Sequence, residues 1–102
     1  GLGLPGYSVY AATKAAVETM TSIFAKELRG RSITVNAIAP GPTATELFLN
    51  DKTPQQVEQL AKLPPLERLG EVDDIANVVA FLVGSDAGWV NGQTIRVNGG
   101  MV

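Results

Sequence analysis

Tyr10 and Lys14 are the residues whose types and spacing most directly suggest chemistry in this 102-residue chain. They stand four apart in "YSVYAATKAAVE", residues 7–18. On a helix that spacing puts two side chains one turn apart on one face. A free phenol has a pKa of about 10, too high for a base near neutrality. A nearby ammonium stabilises the phenolate and lowers that value. Bringing it to neutrality takes roughly 4 kcal/mol of differential stabilisation. One lysine acting through water cannot supply so much, whereas a desolvated lysine helped by a cationic cofactor can. A phenol tuned in this way takes a proton from an alcohol, or gives one to a carbonyl, while hydride leaves or arrives. Tyr7, two turns from Lys14, is nearly as well aligned. It precedes Ser8, the expected helix N-cap, so spacing favours Tyr10. By itself a Tyr-x-x-x-Lys pair is common, and a solvated helix surface is the plain alternative.

The composition removes competing chemistries. There is no cysteine and no histidine, so thiol nucleophiles, disulfides, Ser-His-Asp triads and imidazole or thiolate metal sites are excluded within the chain, and no metal is expected. A net charge of −2 argues against an electrostatic nucleic-acid footprint. No apolar run reaches the roughly 18 residues of a membrane span, and no signal-peptide pattern opens the chain. A cytoplasmic protein without membrane or nucleic-acid partners is expected.

The elements that must position the pair follow from periodicity. Residues 8–29 carry a helical pattern, with Ala12, Ala15, Ala16, Thr19, Met20, Ile23 and Glu27 at i, i+3, i+4 spacing and Gly30 as the stop. Residues 32–38, "SITVNAI", alternate as a strand that the apolar Ile38 and Ala39 prolong. "APGPTATE" then forms a loop at the carboxyl end of that strand, where open α/β sheets bind ligands. Thr53, Pro54 and Gln56 read as a capping box opening a short helix to about Lys62. A further helix is expected over 72–83, with Ile75, Val78, Val79 and Leu82 on its apolar side, and a strand over 93–97. The first six residues, "GLGLPG", match a dinucleotide-loop spacing, but no strand precedes them to aim such a loop, so a Gly/Pro loop is expected.

The predicted fold class is α/β, in the order α-β-α-α-β. It is a parallel βαβ unit with one preceding helix and a right-handed crossover. Two strands are few for a stable sheet, and their edges invite further pairing. On these grounds the fold is expected to be partial.

Four blocks in order, "YAATKAAVE", "VNAIAPGPTATEL", "PLERLGEVDDIANVVAFLVGSDAGWVNGQ" and "IRVNGG", closely resemble the carboxyl-terminal part of short-chain dehydrogenases/reductases. The resemblance covers essentially the whole chain. It implies that residues 1–102 are the carboxyl-terminal portion of a Rossmann-type domain whose cofactor, in the complete enzyme, is NAD or NADP. It implies that Tyr10 is the catalytic acid/base and that Lys14 contacts the nicotinamide ribose and lowers the tyrosine pKa. Pro40 and Gly41 would lie beside the nicotinamide, Thr43 would offer its backbone amide to the carboxamide, and Thr45 would complete the cofactor-binding loop while capping a helix from Glu46 onward. Asn98 and Asn91 replace residues more usual in the family, at positions that are mainly structural there.

The resemblance also implies what the chain would lack: the Gly-rich phosphate loop, the adenosine-selecting residue and the catalytic serine, which would precede Gly1. Ser8 is too close to Tyr10 to be that serine. The expected function is therefore the Tyr/Lys half of an NAD(P)-dependent oxidoreductase interconverting an alcohol and a carbonyl. The alternative is an inactive fragment or self-associating module. The isolated chain is expected to show weak dinucleotide binding and no turnover. Substrate choice would rest on residues 43–63, with Leu47, Phe48 and Leu49 either lining a lid or simply packing. A homo-oligomer is expected through the 72–83 helix and the 93–97 strand.

Overall fold

A computed structural model describes residues 7–101, with side chains described from Ala12 onward. The "GLGLPG" segment lies outside the described residues. The elements in chain order are α1 (Tyr7–Glu27), β1 (Ala37–Pro40), α2 (Glu46–Leu49), α3 (Pro54–Ala61), α4 (Val72–Val83), a 3-10 turn (Ser85–Ala87) and β2 (Thr94–Val97). The predicted α/β order holds, with one extra short helix, α2, after the loop. The chain divides into two compact units: Gly1–Ala37 with Gly88–Thr94, and Ile38–Ala87 with Ile95–Val102.

In the first unit α1 already includes Tyr7 and Ser8. Ser8 is therefore not the N-cap that the sequence suggested, and both tyrosines have helical backbone. The Thr21 hydroxyl is buried and donates to the Val17 carbonyl one turn back, at 2.8 Å. That bond satisfies a group that would be costly to bury unpaired. The helix ends at Glu27, two residues before the expected end, and Gly30 follows at φ +82 in the left-handed region.

The strand expected over 32–38 begins only at Ala37. Side-chain amides displace the ladder before it. The Val35 N–H donates to Asn91 Oδ1 at 2.9 Å, and the Val35 carbonyl accepts from the Gly92 N–H at 2.8 Å. Asn36 donates through Nδ2 to the Val90 carbonyl and accepts at Oδ1 from the Gln93 N–H, at 3.0 and 3.1 Å. The two asparagines thus clasp residues 35–36 to 90–93. Period-two hydrophobicity does not reveal such a clasp, because it satisfies the same backbone groups as a ladder.

Strands β1 and β2, which belong to the second unit from Ile38 and Ile95 onward, form a two-stranded parallel sheet among the described residues, joined by a crossover containing all three shorter helices. The Ala37 N–H donates to the Gln93 carbonyl at the start of the pair, and the Gly41 N–H to the Val97 carbonyl just beyond its end, both at 2.9 Å. Both strands advance together, as parallel pairing requires. The strand runs on to Pro40, which the sequence reading had placed in the loop. As the last residue of β1, Pro40 can sit there without donating to the ladder.

The capping box of α3 forms as expected, with Thr53 Oγ1 accepting from the Gln56 N–H at 3.2 Å and Gln56 Oε1 from the Thr53 N–H at 2.9 Å. Helix α4 matches its predicted bounds, and Ile75, Val78 and Leu82 are half-buried. Val79, expected on the same side, is instead exposed. Pro64 and Ala87 are the buried anchors of this unit.

Candidate functional site

The sequence-derived site residues fall into two groups, one in each unit. Tyr10 and Lys14 lie one turn apart in α1, inside the first unit. The Lys14 side chain is half-buried, and that of Tyr10 lies outside the described residues. Pro40 ends β1, and Gly41, Thr43 and Thr45 lie on the loop that follows it, all inside the second unit.

That loop is highly constrained. The Gly41 N–H donates to Val97, and the Thr43 hydroxyl donates to the Gly41 carbonyl at 2.8 Å. Thr43 forms an isolated parallel bridge with Gly70. The Gly70 N–H donates to the Pro42 carbonyl at 2.9 Å, and the Ala44 N–H to the Gly70 carbonyl at 2.8 Å. The Thr45 N–H donates to the Thr43 carbonyl at 2.8 Å. A parallel bridge uses the groups on either side of its central residue, so the N–H of Thr43 itself points away from Gly70. Among the described residues it donates to no backbone carbonyl, while its neighbours Ala44 and Thr45 are both committed. A donor held this way suits a carbonyl or amide acceptor on a ligand. Thr45 is the N-cap of α2, with φ −108 and ψ 159, and its Oγ1 accepts from the Phe48 N–H at 3.1 Å.

Gly41 is required for a reason the sequence did not reveal. Its φ is not in the left-handed region. A Cβ at that position would instead lie 2.6 Å from Asn98 Cβ and 2.8 Å from Asn98 Cα. Asn98 is itself fixed: its Oδ1 accepts from the Gly100 and Met101 N–H groups at 3.0 and 3.2 Å, turning the chain after β2.

Of the lid candidates, Leu47 is 87% exposed while Phe48 and Leu49 are half-buried. Lys52 Nζ stands 4.2 Å over the Phe48 ring and donates to the Phe48 carbonyl. Beside it opens a cavity of about 550 Å³ lined by Asp51, Lys52, Gln56, Gln59, Leu60 and Leu63. Among the described residues no group of histidine, cysteine, aspartate and glutamate side chains could hold a metal ion. No helix there is long and apolar enough to cross a membrane.

Sequence reasoning missed Arg68 as a partner of Asp74. Arg68 Nη1 and Nη2 meet the two oxygens of the Asp74 carboxylate at 2.7 and 3.1 Å. Asp74 Oδ2 also accepts from the Glu71 N–H at 2.7 Å. The sequence signal was an arginine six residues before a carboxylate in the first turn of α4, a spacing that no regular element would turn into a contact. These bonds, the guanidinium's first, hold the Asp74 carboxyl down at about 2. Arg68 is correspondingly raised by Asp74. A depressed carboxyl stabilises the fold above its ordinary value and loses that contribution as pH falls through the folded one. The urea midpoint of the native chain should therefore exceed that of Asp74→Asn by a constant amount at neutral and mildly acidic pH. The gap should close between pH 3.8 and about 2, and salt should narrow it because the pair is exposed. A gap unchanged at the acid end would show that the pair does not titrate with folding.

A family model described as enoyl-(acyl carrier protein) reductase matches residues 1–102. The "NADPH-dependent aldehyde reductase-like protein, chloroplastic" of Arabidopsis thaliana is 56% identical over 98 residues, covering 96% of this chain and 36% of that protein. The "Short-chain type dehydrogenase/reductase" of Picea abies is 54% identical over 99 residues, covering 97% of this chain and 36% of that protein. The chain thus spans little more than a third of the length of these relatives. Among solved structures, a blue fluorescent protein from a metagenomic library, in complex with NADPH, superposes with a TM-score of 0.85 at 39% identity, covering 99% of this chain and 40% of that one. An angucycline C-6 ketoreductase with bound NADP gives 0.82 at 37% identity, covering 97% and 38%. With a family model matched end to end, relatives above half identity and the parallel α/β arrangement reproduced, the chain belongs to the short-chain dehydrogenase/reductase family.

Proposed function

We propose that this chain contributes the proton-transfer pair and the nicotinamide-side loop of an NAD(P)-dependent oxidoreductase that interconverts an alcohol and a carbonyl. The observation that carries the reading is the Tyr10–Lys14 spacing within one continuous helix of a chain matched along its length by dehydrogenases and reductases. In this reading residues 1–102 form the carboxyl-terminal part of a Rossmann-type domain. Tyr10 gives its phenolic proton to the carbonyl oxygen in reduction and takes the hydroxyl proton in oxidation. Lys14, one turn on, favours the phenolate and meets the ribose. Pro40 and Gly41 form the wall beside the nicotinamide, the Thr43 N–H receives the carboxamide, and Thr45 anchors the loop through α2. The residues fit the cofactor because the Thr43 N–H donates to no backbone carbonyl among the described residues. When bound, the nicotinamide supplies or accepts the hydride.

Relatives named as NADPH-dependent, and neighbours bound to NADPH or NADP, make NADPH the first cofactor to try. The test is NADPH fluorescence titration and NADPH consumption with a panel of aldehydes and ketones, using the polypeptide in which this sequence occurs. Saturable, carbonyl-dependent consumption is expected. Binding without consumption of either NADPH or NADH across the panel would overturn the oxidoreductase reading. The cytoplasmic location read from the sequence belongs to the same proposal, although two Arabidopsis relatives carry chloroplastic names.

A second reading, self-association through α4 and β2 without catalysis, is favoured by the exposure of Val79, Phe81 and Val83 on α4. Light scattering tests it, and a monomer at micromolar concentration would argue against it. Self-association and catalysis are compatible, so a homo-oligomer is also part of the first reading.

A further inference from the structure

Neither Arg68 nor Asp74 belongs to the acid/base pair or to the loop assigned to the cofactor. Yet both reach that loop through one residue, Gly70. The Arg68 guanidinium donates from Nη1 to the Leu69 carbonyl at 3.0 Å and grips Asp74 with both terminal nitrogens. Asp74 accepts from the Glu71 N–H. Leu69 and Glu71 flank Gly70, which holds Pro42 and Ala44 on either side of Thr43.

The approach to this arrangement is also constrained. Glu67 has φ +57, an uncommon conformation for a residue with a side chain. The turn there is tied by the Glu67 N–H to the Pro64 carbonyl at 2.8 Å and by the Leu66 N–H to the Gly99 carbonyl at 3.2 Å. Pro64 is fully buried. The chain therefore turns at a fixed point just before Arg68, and a small cavity of about 70 Å³ lies among Pro42, Arg68, Gly70, Asp74 and Asn98. A fork of two parallel charge-assisted bonds fixes direction as well as distance.

From these contacts we infer that the Arg68–Asp74 pair positions the Pro42–Ala44 backbone, and so the direction of the Thr43 N–H, by clamping Leu69–Glu71 from both sides. The functional part of this inference rests on the reading of that loop as the nicotinamide-side loop. Arg68 and Asp74 are positioning residues that touch neither substrate nor cofactor.

The test uses Arg68→Met, which keeps most of the side chain's length and removes its donors. Asp74→Asn, which keeps an acceptor for the Glu71 N–H, is the second variant. Lys62→Gln is the control, since it breaks a different exposed ion pair, with Glu58 on α3. Amide exchange at Ala44 and Gly70 should accelerate by about tenfold or more in both variants, as expected of a local opening, while exchange within α3 stays unchanged. The control should leave exchange at Ala44 and Gly70 unmoved. KM for the dinucleotide should rise several-fold with kcat nearly unchanged.

Unchanged exchange at Ala44 and Gly70, or equal acceleration across α3, overturns the clamp. Accelerated exchange with unaltered dinucleotide KM upholds the clamp and overturns the assignment of this loop to the cofactor. The two failures are therefore distinguishable.

Discussion

Tyr10→Phe is expected to lower kcat by about 100- to 10,000-fold, the range over which a positioned general acid or base contributes. Dinucleotide affinity should change little. The substitution removes one oxygen. It leaves the backbone at position 10 within α1, because phenylalanine and tyrosine have nearly equal helix propensity. The informative control is Tyr7→Phe. From the sequence, Tyr7 could be set aside because it preceded the presumed cap at Ser8. The structure removes that ground, since Tyr7 is itself in the helix. What still separates the two tyrosines is distance along the helix. Position 10 is one turn from Lys14 and position 7 is two. A charge one turn away acts on a phenol far more strongly than one at twice the distance, more so where water is excluded. Tyr7→Phe should therefore keep kcat within a few-fold. Steady-state assays of both variants decide the matter. Activity within about tenfold of the native level for Tyr10→Phe, or a larger loss for Tyr7→Phe, would reject the assignment.

The second large effect is expected at Gly41. An alanine there would put its Cβ 2.6 Å from Asn98 Cβ and 2.8 Å from Asn98 Cα. Neither atom is the free end of a flexible side chain, and Asn98 is held by its bonds to Gly100 and Met101. Relief requires the two strand ends to separate, which would stretch the bond from the Gly41 N–H to the Val97 carbonyl. Overpacking of this kind costs about 1–3 kcal/mol, corresponding to a fall in Tm of order 10 °C for a unit of this size. The same displacement would move the loop bearing Thr43 and Thr45, so dinucleotide affinity should fall as well. Gly84→Ala is the control. Its Cβ would meet only the Ala80 and Phe81 carbonyl oxygens at 3.4 Å, at the edge of ordinary contact, and its φ is not in the left-handed region. Thermal melts of the two variants should differ by most of the predicted fall. Equal melting temperatures would show that the strand ends part easily and that the close approach is not required.

The legible parts of this protein were those set by near neighbours in the chain. Helix α4 came out at its predicted bounds because its stop at Gly84 and its apolar spacing are properties of twelve consecutive residues. The capping box of Thr53 and Gln56 was equally readable, since its two bonds span three positions. Thr45 as a helix cap belongs with them. Errors arose where distant segments compete for the same backbone groups. "SITVNAI" alternates like a strand, yet Asn36 and Asn91 close its first part onto residues 90–93. Val79 fits the apolar pattern of α4 but is exposed.

The sequence by itself determined the α/β class, the family and the one-turn spacing of Tyr10 and Lys14, because periodicity, caps and ordered blocks are local quantities. Only the tertiary structure decided why residue 41 must be glycine, which N–H of the loop donates to no backbone carbonyl among the described residues, and that Arg68 and Asp74 bond to each other and to the residues flanking Gly70. Each of these depends on the close approach of segments far apart in the chain. Residue types record that such an approach is permitted, and the folded backbone decides that it occurs.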